Sequence, residues 1–208
     1  MQQLLLELAP PPQPTLENFF PGRNGAAVKA LREALAAGER FVFLWGPGGS
    51  GKTHLLRAFS AAAAAAAREA VAIDDVARLG EAEQIALFDA CNRLRASKGA
   101  LAASAAAPPA QLALRPDLRS RLASGIVLQL HPLSDDDKSA ALAGHAARRG
   151  MRLERELTAY LLTHFDRDMG AQIALLDALD RYSLQRKRAL TLPLLKEALR
   201  TLAEEARR

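Results

Sequence analysis

A single cysteine, Cys91, stands in 208 residues. No disulfide framework can form within one chain, and a reducing cytoplasm is the expected setting. Aromatic residues make up only 5% of the chain, so leucine and alanine must fill the core, which favours helices. No apolar run approaches the ~18 residues that a membrane-spanning helix needs. The N-terminus lacks the basic region and cleavage pattern of a signal peptide. Four scattered histidines (His54, His131, His145, His164) and one cysteine give no metal-ligand spacing. Acidic residues are outnumbered 23 to 28 by Lys and Arg, for a net charge of +5. That balance permits nucleic-acid contact without demanding it. The densest basic run, Arg181 to Arg188, is either a solvated helix end or a phosphate-binding patch.

What is present is more specific. Gly46-Pro47-Gly48-Gly49-Ser50-Gly51-Lys52-Thr53 fits G-x-x-x-x-G-K-[ST] at every position. The apolar run Phe41 to Trp45 precedes it, and His54 to Phe59 follows with helical spacing. Strand, glycine loop and helix are what phosphate binding requires. Glycines let backbone N–H groups turn inward, and the helix N-terminus adds its positive end. The expected ligand is ADP or ATP with Mg²⁺. Gly46 to Thr53 and the adjacent His54 form the predicted nucleotide-binding set. In it, Lys52 reaches the β/γ-phosphates and Thr53 holds the cation.

A second short apolar run, Val71-Ala72-Ile73, ends in Asp74-Asp75. After a phosphate loop this is the expected Walker B element. Asp74 would serve Mg²⁺, and Asp75 is placed to polarise an attacking water.

Around these motifs the chain divides into three regions. Residues 1–14 carry Gln3-Leu4-Leu5-Leu6-Glu7-Leu8 and then a proline-rich spacer. That pattern suits either a peptide for a partner's groove or an element that folds back on the core. Residues 15–131 alternate helix and strand. Asn24 is the expected cap of a helix over 26–37 that Gly38 ends. Strands are predicted over 41–45, 71–73, 100–104 and 126–130, with helices from 52, over 81–96 and over 115–122. The third strand is poor in β-branched residues. Alternation of this kind argues a parallel α/β sheet. From 132 to 208 only helices are expected. Ser134 caps the first, followed by Asp135, Asp136 and Asp137, and further helices lie near 154–165, 168–186 and 193–206.

In that order, several segments are similar to the AAA+ initiator clade, and among its families the chain resembles the DnaA regulatory inactivator, Hda. They are Thr15 to Phe19, Pro21-Gly22-Arg23-Asn24, Gly51 to Leu56, Pro116 to Leu122, Leu133 to Lys138 and Phe165 to Met169. The resemblance implies a P-loop AAA+ core with a parallel sheet, followed by an all-α lid. It implies that Arg121 matches the arginine finger, acting on a neighbour's nucleotide, and that Arg167 matches the sensor 2 arginine. Leu16, Phe19 and Phe20 either help line the base pocket or pack in the core. The tail then looks like a sliding-clamp-binding motif, with Gln3 at a pocket edge and Leu4, Leu6 and Leu8 as apolar anchors.

Three departures from the family accompany the match. Lys52 to Asp74 spans only 22 residues, where relatives fit another strand and helix, so one edge strand is expected to be missing. The sensor 1 position falls in Ser104-Ala105-Ala106-Ala107, where only Ser104 is polar, which weakens the case for efficient self-hydrolysis. The phosphate loop, by contrast, is better preserved than the family norm.

The function so implied is a bacterial cytoplasmic regulator, tethered to the DNA polymerase sliding clamp and so to DNA only indirectly. It would stimulate hydrolysis of DnaA-bound ATP and prevent re-initiation, with a homo-oligomer left open. Two rivals stay open: a stand-alone AAA+ ATPase of helicase-loader type, and a nucleotide-dependent DNA-binding module.

Overall fold

The computed structural model describes residues 13–37, 40–165 and 169–205. Residues 13–132 form one compact unit, and residues from 133 onward belong to a second.

In the first unit the elements run α1 (Gly25–Ala37), β1 (Arg40–Trp45), α2 (Lys52–Ala65), β2 (Ala70–Ile73), α3 (Glu81–Ser97), β3 (Ala100–Ala105), α4 (Pro116–Ala123) and β4 (Ile126–Gln129). The four strands are parallel in the order β2-β3-β1-β4. Side chains alternate faces along β1. Val42 and Leu44 join α1, α2 and Leu130 in one core cluster. Phe41 and Phe43 turn to the other face and pack with α3 and α4.

Strand β3, Ala-Leu-Ala-Ala-Ser-Ala, is fully buried between β1 and β2. Its low β propensity is overridden because a strand with a paired neighbour on each side and helices on both faces has room for small side chains. The expected missing edge strand has its counterpart here. Among the described residues β2 is the sheet's edge, and all four of its residues are half-buried.

One sequence expectation is corrected. The side chain of Asn24 is not spent on capping α1. Its Nδ2 donates to the His131 carbonyl at 2.8 Å, and its Oδ1 accepts from the His131 N–H at 2.8 Å. A buried primary amide that matches a peptide's donor and acceptor together satisfies both groups, so the cap role loses.

The second unit holds α5 (Asp135–Arg148), α6 (Arg155–His164), α7 (Met169–Arg186) and α8 (Leu192–Glu205). Ser134 caps α5, its Oγ accepting from the Asp137 N–H at 3.0 Å while Asp137 accepts in return from the Ser134 N–H at 3.1 Å. Leu142, Leu157, Leu161, Leu176, Leu194 and Leu195 form its buried interior. His145 pairs with Asp177 at 2.6 Å, joining α5 to α7. In the basic run, Arg188 pairs with Glu197 at 2.6 Å and Arg186 lies 5.2 Å over the Tyr182 ring. Both arginines therefore have partners within their own unit.

Candidate nucleotide-binding site

The phosphate loop leaves the C-terminal end of β1, next to β3; the helix that follows β1 covers one face of the sheet and the helix that follows β3 covers the other. In open parallel sheets that switch point is the place for a ligand. The loop's start is tied to both neighbours: Gly46 N–H donates to the Ala105 carbonyl at 3.2 Å, and Leu130 N–H donates to that of Trp45 at 2.7 Å. A Cβ on Gly46 would stand 2.3 Å from the Leu130 carbonyl oxygen. Gly51 has φ +90°, and a Cβ there would meet the Phe19 ring at 2.7 Å. Only glycine satisfies both positions.

Lys52, in the first turn of α2, donates to the carbonyls of Gly46 at 2.7 Å and Pro47 at 2.8 Å. Burial holds its ammonium below the ordinary lysine range, against the upward pull of the Asp74 and Asp75 charges. Thr53 Oγ1 donates to Asp74 Oδ2 at 2.5 Å. Ser104 Oγ donates to Asp74 Oδ1 at 2.5 Å and accepts the Asp75 N–H at 3.1 Å. Burial alone would raise the Asp74 carboxyl. The Ser104 and Thr53 hydroxyls, the Lys52 charge and the Asp75 N–H outweigh it and keep Asp74 below the ordinary carboxylate range. Asp75 sits in the left-handed region at φ 50°, ψ 64°. The structure thus brings Lys52 onto the loop and Thr53 onto Asp74, with the Asp75 charge acting on Lys52.

These residues fit a nucleotide with its magnesium ion. The Ser50 hydroxyl is buried in the loop with no hydrogen-bond partner among the described residues. Lys52 holds loop carbonyls that a phosphate could replace. Thr53 and Asp74 already share one bond at the place where the cation would be held.

The predicted base-side residues separate. Leu16 is 5% exposed and belongs to the core cluster. Phe19 lies against Gly51 and 5.4 Å from the His54 ring, and the His54 Nε2 is 3.2 Å from the Thr15 carbonyl. Phe20 is half-buried. The strap 15–20 therefore rests on the loop and on the start of α2.

Arg121 lies elsewhere. Its guanidinium donates to Asn92 Oδ1 at 2.9 Å and sits 5.7 Å over the Phe88 ring, both on α3. Among the described residues no hydrogen bond or ion pair joins it to Lys52, Thr53 or Asp74. Arg167, Gln3, Leu4, Leu6 and Leu8 lie outside the described residues.

Sequence reasoning missed three contacts: the two hydrogen bonds of the Ser104 hydroxyl, the clasp of Asn24 on His131, and the Asn92–Phe88 seat of Arg121. The one available signal was a lone serine in an alanine strand, since a buried hydroxyl must find a partner.

Comparison with known proteins agrees with this fold. The family described as "Hda, lid domain" matches residues 135–199. An uncharacterized protein of Haemophilus influenzae is 37% identical over 214 residues, covering 89% of this chain and 93% of the relative. Domain III of the Thermotoga maritima replication initiation protein DnaA superposes with a TM-score of 0.66 at 21% identity, over 92% of this chain and 97% of that one. AMPPCP-bound DnaA from Aquifex aeolicus superposes with a TM-score of 0.65 at 23% identity, over 85% and 69%. Phosphate loop, parallel sheet, helical second unit and these matches converge: the chain belongs to the Hda-like group of DnaA-related AAA+ proteins.

Proposed function

We propose that the chain is a regulator of replication initiation that binds ADP or ATP with Mg²⁺ and acts on ATP held by DnaA. The observation that carries this reading is the seat of Arg121. Its guanidinium is oriented by Asn92 and Phe88 and has no bond to the chain's own Lys52, Thr53 or Asp74. A preset arginine outside its own site suits action in trans. There its planar, permanently charged donors stabilise the charge that develops on a neighbour's transferring phosphoryl group.

On this reading the chain's own nucleotide is a structural ligand. Lys52 and the loop N–H groups bind its phosphates, and Thr53 and Asp74 hold the cation, which neutralises phosphate charge when bound. The strap 15–20 closes the base side. The tail, through Gln3, Leu4, Leu6 and Leu8, brings the chain to the sliding clamp and so near DNA.

The test is turnover of DnaA-bound ATP with the clamp loaded on DNA, comparing the intact chain with Arg121→Ala. The expected loss is on the order of 10³-fold, the lower end of what arginine fingers contribute. Equal turnover sinks the mechanism. Capture on clamp-coated resin, lost in Gln3→Ala and Leu6→Ala, tests the tail separately.

A second reading, a stand-alone ATPase, is favoured by the convergence of Asp75 with Lys52 and Asp74. It requires substantial turnover by the purified chain alone, abolished in Lys52→Ala.

A further inference from the structure

Ser104 is the only polar residue in β3 and is fully buried. The strand registers explain where it acts. Ile73 pairs with Ala103 and Leu44 with Ser104, so the serine stands between the acidic turn after β2 and the end of β1 that feeds the phosphate loop.

The hydroxyl has one proton and two lone pairs, which limits what it can do. The proton goes to Asp74 Oδ1 at 2.5 Å, and one lone pair takes the Asp75 N–H at 3.1 Å. No proton remains for a phosphate oxygen. Thr53 holds the opposite carboxylate oxygen of Asp74. The carboxylate is therefore gripped from two sides, by one hydroxyl from the core and one from the start of α2. The same serine also steadies the left-handed Asp75, a conformation that costs a non-glycine residue free energy.

From this geometry we infer that Ser104 is a positioning residue for the cation end of the nucleotide site, setting the magnesium dependence of nucleotide binding by orienting Asp74. The inference rests on the reading of this site as a nucleotide site. It assigns Ser104 no contact with the nucleotide. Groups that orient a metal-binding carboxylate typically matter about 10- to 100-fold in metal affinity. Alanine would leave Asp74 Oδ1 and the Asp75 N–H without this partner while leaving the loop and Lys52 intact.

The experiment is equilibrium binding of a fluorescent ADP analogue to the full chain, in MgCl₂ and in EDTA. The variants are Ser104→Ala, Ser104→Thr and Lys52→Ala. Wild type should bind more tightly with Mg²⁺. Ser104→Ala should lose about tenfold in the Mg²⁺ arm and stay within about twofold of wild type in EDTA. Ser104→Thr, which keeps the hydroxyl, should restore the magnesium increment. Ser104→Ala with the full wild-type increment overturns the inference. So does an equal loss in both buffers, which would mark Ser104 as merely structural. Wild type that binds no nucleotide in either buffer overturns the reading of the site itself, and Lys52→Ala that binds like wild type does the same.

Discussion

Cys91 illustrates how packing sets chemistry at the scale of one residue. Its thiol faces the α3–α4 core, and burial pushes its pKa from 9.0 up to about 11, although Arg121 and Arg95 pull it down. The sign of the linkage follows. Because the folded value lies above the unfolded one, the folded state keeps its proton longer. The group's contribution to stability is present below pH 9 and is lost as pH rises through about 11. Reactivity follows too, since the thiolate is the nucleophile. At pH 8 the difference in pKa alone slows alkylation of the folded chain about 100-fold relative to the urea-unfolded chain. Iodoacetamide labelling followed by mass spectrometry measures this. Equal rates in buffer and urea would contradict the packed thiol. At the loop the causes differ: burial lowers the Lys52 ammonium from the ordinary lysine range, and, against its own burial, the Asp74 carboxyl is lowered by the hydroxyls of Ser104 and Thr53.

Secondary elements are where local chemistry is most predictive. The reciprocal bonds between Ser134 and Asp137 at the start of α5 predict that Ser134→Ala costs about 1 kcal/mol. Asp137 also loses its hydroxyl partner, so the cost should appear in urea melts followed through the helical signal. An unchanged midpoint would refute it. The same cap was legible in sequence because its partners are three residues apart. So were the phosphate loop and the Asp74-Asp75 turn, each a contiguous run of residues. Strand β3 was legible only weakly. Its alanines carry little β signal, and its place in the sheet depends on neighbours far away in sequence. The clasp between Asn24 and His131 spans 107 residues, and the Arg121–Asn92 bond spans 29. No local pattern announces either. Asn24 looked like a cap because asparagine before a helix commonly is one, and a peptide brought in by the fold competed successfully for its amide.

Across the whole molecule, the α/β unit and the helical unit are separately built, each with its own leucine-rich interior. The short span from Lys52 to Asp74 brings the chain from α2 straight into the strand that bears the acidic turn, and among the described residues that strand is the sheet's edge. The H. influenzae alignment, at 214 residues, is longer than this chain, so the relative carries residues that have no counterpart here. Trp45 gives this arrangement an optical consequence. It is the only tryptophan, it ends β1 beside Ala105 and Gln129, and the first glycine of the phosphate loop follows it directly. The chain's indole emission thus originates one residue from the loop. Saturable change in that emission on adding ADP with Mg²⁺, absent in Lys52→Ala, is the expected outcome, and a spectrum indifferent to nucleotide would count against the site. An unmodified protein carries its own lamp at the mouth of the phosphate loop.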